Sequence, residues 1–317
     1  MSMKNIKLFI LTVGVSLPFW LAINYSNVFL EDFFLGKILA NNPPLQANIA
    51  NSLPKIETTN CQINNIKARA FVSAVINKEG ISKILFAKNE RTILPIASIT
   101  KLLSALVVEE FLSGNEQFTI SKEALNQLEP TGSLQEGETF SRETLLKIGL
   151  IESSNDAIFA LSEPMGLGFI FLMNEKAKSL AMNDSLFFNS MGLDPEDIEA
   201  QANEINISTG LDLIKLAKEI MFNQPEVLKI ISQKEIPLYL ENGFFHHTLK
   251  TTNELLGGNP YILGGKTGST ERAGGCLLLI LKTNQPDQYI VNVILGSGDR
   301  FGEMETLNSC SLQNMSF

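Results

Sequence analysis

The strongest constraint on this chain is an order: β-patterned sequence at both ends of its globular part, and helical sequence between them. Phe71-Val72-Ser73-Ala74-Val75-Ile76 and Ile81-Ser82-Lys83-Ile84-Leu85-Phe86 flank Asn77-Lys78-Glu79-Gly80, a hairpin signature. Near residue 260 the strands return, as Tyr261 to Thr270, Cys276 to Lys282 and Tyr289 to Leu295. Glu271-Arg272-Ala273-Gly274 and Asn284-Gln285-Pro286-Asp287 separate them, and such short turns imply an antiparallel meander. Residues 112–255 read mainly as helix and loop, and a terminal helix is expected from about Gly302. The economical solution is an α+β fold. One antiparallel sheet is built from both chain ends and flanked by helices, with a helical lobe inserted between them.

One helix sits at the junction of the two parts. In the stretch from Pro95 to Val107, apolar residues fall at 99, 102, 103, 106 and 107, the stripe of a buried helix. Proline suits a first turn and not an interior, so the helix starts near Pro95 or Ala97. Ser98 and Lys101 are three apart and share another face. Ser98 then lies at the helix N-terminus, where free N–H groups and the dipole favour negative charge. A hydroxyl there, with an amine one turn on, can act as nucleophile and base. The ordinary reading of such a pair is a solvated helix face. Ser52-Leu53-Pro54-Lys55 has the same spacing in a polar, proline-containing segment that should not be helical.

Within the middle region, Ser141 to Ile148 begins like a capped helix and ends at Glu152-Ser153-Ser154-Asn155-Asp156. A new helix from Ala157 is stopped around Pro164-Met165-Gly166. Ser153 and Asn155 therefore fall in a tight inter-helix turn, where simple helix capping is their ordinary use. Further helices are expected at 168–181 and 209–222. Ser113-Gly114-Asn115 repeats the Ser-x-Asn pattern, but it lies near the far end of the Ser98 helix. At 1.5 Å per residue that is about 22 Å from Ser98, out of reach.

The 317 residues are 44% hydrophobic and 19% charged, a globular composition, and the net charge of −9 argues against nucleic-acid binding. His246 and His247 are the only histidines; in a strand their rings would point to opposite faces, and they read as structural or surface residues. Cys61, Cys276 and Cys310 show no zinc-ligand spacing, so no metal and no cofactor is implied. Lys4 and Lys7 precede an uncharged apolar run from Leu8 to Tyr25, and Glu31 and Asp32 follow. The run is close to the roughly 20 residues that span a bilayer. The flanking charges put the bulk of the chain outside. Residues 1–30 are read as an uncleaved anchor, with a cleaved signal peptide as the rival. Residues 31–65 read as a linker, and 66–317 as the catalytic domain, with its helical lobe at about 112–255. Disulfides are allowed outside the membrane. If the ends of the domain are neighbours, Cys61 and Cys310 can pair; Cys276, in an apolar strand, reads as a small buried residue.

Three motifs thus stand in order on helix, turn and strand: Ser98-x-x-Lys101, Ser153-x-Asn155 and Lys266-Thr267-Gly268. The triple resembles the active-site set of penicillin-binding proteins and serine β-lactamases. The surroundings narrow it. Ala97 to Lys101, Ser153 to Ala157, Asn189-Ser190-Met191-Gly192-Leu193 and Lys266 to Gly274 resemble the D-alanyl-D-alanine carboxypeptidases of the S11 peptidase family, over about residues 66–310. The resemblance implies a five-stranded antiparallel sheet packed by helices, plus an all-helical lobe. Ser154 stands where the family usually has Gly, and the acidic stretch 194–204 looks longer than usual.

The resemblance implies that Ser98 is the nucleophile. A hydroxyl needs a neighbouring base, and Lys101 serves only as a free amine. Burial and a second cation, Lys266, would both favour that form. Ser153 would relay a proton to the leaving amine. Asn155 would orient Lys101 and hold the substrate amide. Lys266 and Thr267 would bind the terminal carboxylate, and the backbone amides of Ser98 and Ser269 would hold the oxyanion. Gly268 would let the substrate backbone approach the strand. The expected activity is hydrolysis of the terminal D-Ala of peptidoglycan stem peptides through a Ser98 acyl-enzyme, with β-lactam antibiotics as inhibitors, on the outer face of a bacterial membrane. Three alternatives stay open. A DD-endopeptidase would use the same residues on crosslinks. A class A β-lactamase would use Glu199 and Asn203 of Glu199-Ala200-Gln201-Ala202-Asn203 to activate water. A sensor or cell-wall-binding scaffold would acylate without turnover.

Overall fold

The computed structural model describes residues 61–114, 116–128, 131–195, 204–240 and 242–315. The readings made for residues 1–30, for most of the linker, and for Glu199 and Asn203 lie outside the described residues.

In chain order, β1 (Ala70–Ile76) and β2 (Ile81–Lys88) form the expected hairpin. Asn77 Oδ1 accepts from the N–H groups of Glu79 and Gly80 at 3.1 Å, and Gly80 adopts φ +148°, which favours glycine. The short β3 (Leu94–Pro95) leads to a 3-10 turn, Ala97–Ile99, and then to α1 (Thr100–Phe111). Next come β4 (Gln117–Thr119), α2 (Lys122–Leu125), β5 (Thr139–Ser141), α3 (Arg142–Ile151), α4 (Asn155–Ser162) and α5 (Leu167–Ser179). They are followed by β6 (Ile207–Ser208), α6 (Gly210–Asn223), α7 (Pro225–Ile231), β7 (Glu235–Tyr239) and β8 (Phe245–Lys250). The chain closes with β9 (Ile262–Thr270), β10 (Gly274–Lys282), β11 (Tyr289–Ser297) and α8 (Arg300–Asn314).

The main sheet has five antiparallel strands in the order β2-β1-β11-β10-β9, as expected of a sheet made from both ends. Alternation sorts its side chains onto two faces. Val72, Ala74, Leu278, Ile280, Val291 and Val293 face the core shared with α1 and the lobe. Phe71, Val75, Leu277, Leu279 and Ile294 face Met304 and Leu307 of α8. Cys61 and Cys310 are joined by a disulfide, tying the segment before β1 to α8.

The Ser98 helix is buried as expected, and more fully than one stripe requires: every residue from Thr100 to Val108 is buried, because sheet and lobe close on it from both sides. Two expectations need correction. The middle region is not only helix and loop. It holds the hairpin β7–β8 and the pair β4–β5, whose short runs, packed on one side only, give little strand periodicity. The two histidine rings do not point to opposite faces. Leu238 pairs with His247 and Tyr239 with Phe245, so His246 is the extra residue of a β-bulge, which breaks the alternation. His246 Nδ1 and His247 Nδ1 meet at 2.5 Å. Their outer nitrogens reach Glu138 at 3.2 Å and Glu152 at 3.0 Å, so the pair braces the hairpin against the start of β5 and the end of α3.

Candidate active site

Ser98 sits in the 3-10 turn that opens onto α1, half-buried, one turn from Lys101. Lys101 is wholly buried, and its Nζ lies 2.7 Å from each of three oxygens: Ser98 Oγ, Asn155 Oδ1 and the Met191 carbonyl. A free amine has two N–H donors and one lone pair. The amide oxygen of Asn155 and the Met191 carbonyl accept but cannot donate. If the amine is neutral, these two take its N–H groups and the lone pair is the one that faces the Ser98 hydroxyl. That is the arrangement a general base requires.

The lobe supplies the second motif through the turn between α3 and α4. Ser153 holds φ +63°, an uncommon conformation for a residue with a side chain. Ser154 caps α4: its Oγ accepts from Ala157 N–H at 3.2 Å and donates to Thr131 O at 2.6 Å. Its hydroxyl thus holds the turn at a position where glycine would have no side-chain bond to offer. Asn155 donates to Leu128 O at 2.7 Å, which fixes its amide and turns its oxygen toward Lys101.

The third motif lies on β9, an edge strand of the sheet. Lys266 is buried and donates to Ser153 Oγ at 2.8 Å and to Thr267 O at 3.1 Å. Burial, and after it the charge of Arg300, pushes the Lys266 ammonium down to about 7. Each lysine therefore reaches across to the lobe, Lys101 to Asn155 and Lys266 to Ser153. Ser269 lies at the exposed end of the strand, beyond Gly268. Gly268 also has a packing reason. A Cβ there would stand 2.9 Å from Ile96 O and 3.0 Å from Ser98 N, so the glycine lets β9 press against the Ser98 turn itself.

Sequence reasoning singled out the 189–193 stretch but gave it no role, and it passed over Arg300. Met191 O acts through its backbone, which no side-chain motif reveals. Asn189 Oδ1 accepts from the N–H groups of Met191, Gly192 and Leu193, shaping the loop that delivers this carbonyl. Gly192 has φ +85°, and a Cβ there would collide with Ala97 O. Arg300 donates to Gly268 O at 2.9 Å from the start of α8. Cys276 lies opposite Gly268 in the sheet, and burial pushes its thiol up to about 11, so it is an inert core residue. Among the described residues no cluster of three or more His, Cys, Asp or Glu is arranged to hold a metal.

Residues 56–298 match the S11 peptidase family, D-alanyl-D-alanine carboxypeptidase, and the chain belongs to that family of hydrolases. Over 207 residues it is 32% identical to a D-alanyl-D-alanine endopeptidase of Haemophilus influenzae, covering 63% of this chain and 67% of that protein. It is 30% identical to the D-alanyl-D-alanine carboxypeptidase DacF of Bacillus subtilis over 65% of this chain and 52% of that one. Among solved structures, penicillin-binding protein D2 of Listeria monocytogenes in its cefotaxime-bound form superposes with a TM-score of 0.65 at 28% identity, over 78% of this chain and 97% of that one. The fold is the transpeptidase-like fold of the DD-peptidases.

Proposed function

We propose that this protein is a serine DD-carboxypeptidase that removes the terminal D-Ala from peptidoglycan stem peptides. The observation that carries the reading is the Lys101 amine, held by two carbonyl oxygens with its third position on Ser98 Oγ. The Ser98 proton passes to Lys101 as Oγ attacks the carbonyl carbon of the penultimate D-Ala. The oxyanion is held by the backbone amides of Ser98 and Ser269. The C–N bond then breaks, and the leaving amine takes a proton through Ser153, which Lys266 orients. Lys266 and Thr267 hold the terminal carboxylate, and Asn155 the substrate amide. Water attacks the acyl-enzyme and releases Ser98. A β-lactam, whose strained amide and carboxylate mimic the substrate, acylates the same serine.

A second reading, DD-endopeptidase action on crosslinks, is favoured by the endopeptidase names of relatives such as those of Haemophilus influenzae and Escherichia coli. The residue roles are the same in both. The disulfide fits an oxidising compartment outside the cell membrane. We place the protein there, tethered through residues 1–30.

The test is intact mass after benzylpenicillin for the wild type and Ser98→Ala, followed by product analysis on a pentapeptide ending in D-Ala-D-Ala and on a crosslinked dimer. A penicilloyl adduct on the wild type alone, with free D-Ala from the pentapeptide, is expected. Cleavage of the dimer alone would select the endopeptidase. Rapid penicillin turnover would select a β-lactamase, and a stable adduct with neither peptide cut a sensor.

A further inference from the structure

Thr252 belongs to none of the three motifs, yet it touches one of them and bonds the helix end just ahead of another. It lies half-buried in the connection from β8 to β9. Its Oγ1 is 2.5 Å from Thr267 Oγ1. Its backbone N–H donates at 3.2 Å to Ile151 O, at the end of α3, two residues before Ser153. The backbone around it is anchored on both sides: Thr251 N–H donates to Lys234 O at 2.9 Å, and Leu255 N–H donates to Asn253 Oδ1 at 3.2 Å. The Thr252 hydroxyl is therefore presented to Thr267 from a fixed position.

We infer that Thr252 is a positioning residue for carboxylate recognition: its hydroxyl donates to Thr267 Oγ1 and thereby commits the Thr267 proton to the ligand. The inference rests on the reading above that Thr267 meets the substrate carboxylate. Each hydroxyl carries one proton and can also accept. With the site empty, either threonine can be the donor. A docked carboxylate is the stronger acceptor and takes the Thr267 proton. The Thr267 oxygen then needs a donor of its own, and Thr252 stands at hydrogen-bond distance to provide it. The chain Thr252 to Thr267 to carboxylate polarises in one direction, so the second bond strengthens the first. The ligand class this selects is an acyl compound with a free carboxylate beside the scissile amide.

Thr252→Val removes the hydroxyl while keeping the β-branch and the backbone bond to Ile151, and Thr252→Ala is a second hydroxyl-free variant should valine not fold. Thr252→Ser keeps the hydroxyl. The measurement is the second-order rate constant of Ser98 acylation by benzylpenicillin and by its methyl ester, in which the carboxylate is masked. One neutral hydrogen bond corresponds to roughly a three- to tenfold change. Thr252→Val should slow benzylpenicillin by that factor, leave the methyl ester within about twofold, and be restored by Thr252→Ser. Equal slowing with both compounds would overturn the inference in favour of a purely structural tie, and so would unchanged rates with both. Absence of any wild-type adduct fails at an earlier step and rejects the DD-peptidase reading instead.

Discussion

Lys101 and Lys266 are both buried and both reach an active-site serine, but the protein surrounds them in different ways. Lys101, on α1, has its Nζ among three oxygens at 2.7 Å, two of them carbonyl-type acceptors from the lobe and from the 189–193 loop. Lys266, on β9, has one hydroxyl, one carbonyl and a neighbouring arginine, and no carboxylate ion-pairs with it among the described residues. The first environment fixes the amine against the Ser98 hydroxyl. The second leaves an ammonium short of countercharge, at the border between its two protonation states. In the proposed reaction the substrate carboxylate would supply the missing charge, so the Lys266 region would be completed by its ligand, whereas the Lys101 region is completed by the fold.

The sharpest way to break this contrast is Lys101→Met, which removes the proton acceptor and keeps an unbranched buried side chain. Penicilloylation of Ser98 should fall about a thousandfold, within the range for loss of a general base. An adduct forming at the wild-type rate would remove Lys101 from that role. Lys266→Met should cost less, roughly ten- to a hundredfold with benzylpenicillin, as for loss of a charge-assisted hydrogen bond. Its penalty should shrink with the methyl ester, which the penalty of Lys101→Met should not.

The pH dependence separates the two regions further. The Lys266 amine titrates at about 7 in the folded protein and near 10.4 when unfolded. Between these values the unfolded chain binds the extra proton, so stability rises with pH across that window. The full cost of burying the ammonium is present below pH 7. A wild-type denaturation series from pH 7 to 10 should show this rise, and Lys266→Met should lose it. On the proposed role of Lys266, carboxylate recognition runs the other way, because it would need the ammonium, so acylation by benzylpenicillin should weaken as pH climbs past 7.

The smallest effect concerns a third buried charge, in the first turn of α4. Asp156 is buried with Oδ1 unpartnered, and burial pushes its carboxyl up to about 6. The folded protein holds that proton more tightly than the unfolded chain does, so stability falls as pH rises from about 4 to 6. Asp156→Asn should flatten that stretch and stabilise the protein at pH 7 by on the order of 1–2 kcal/mol, seen as a melting temperature higher by a few degrees. A lower melting temperature at pH 7 would mean that the carboxylate has a partner in solution.

Much of this was legible in the chain. Strands with short turns at each end led to an antiparallel sheet built from both chain ends, because antiparallel neighbours within each end close through local connections; the pairing of β1 with β11 is not local. The i, i+3 spacing of Ser98 and Lys101 was readable because one helical turn fixes their proximity. Other features were not readable. The β7–β8 hairpin was hidden because its side chains alternate weakly. The shared side of His246 and His247 depends on a bulge, and a bulge exists only relative to a partner strand. The packing reason for Gly268 was not readable because the atoms crowding it come from residues 96–98, far away in sequence. Thr252, Arg300 and the Met191 carbonyl carry no motif; they matter through what they face.

By itself, the sequence determined what arises within a turn or two of chain: the hairpin, the buried α1, the capped start of α3, and the residue types of the three motifs. Only the tertiary structure decided which of those residues meet. Ser153 and Lys266 are 113 residues apart, and Lys101 and Asn155 are 54 apart. Their contacts exist because the lobe and the sheet edge close on the same helix. Local periodicity follows from backbone geometry, which every residue carries with it. A hydrogen bond across the cleft depends on the packing of the whole domain and on the burial that shifts the charge of a lysine.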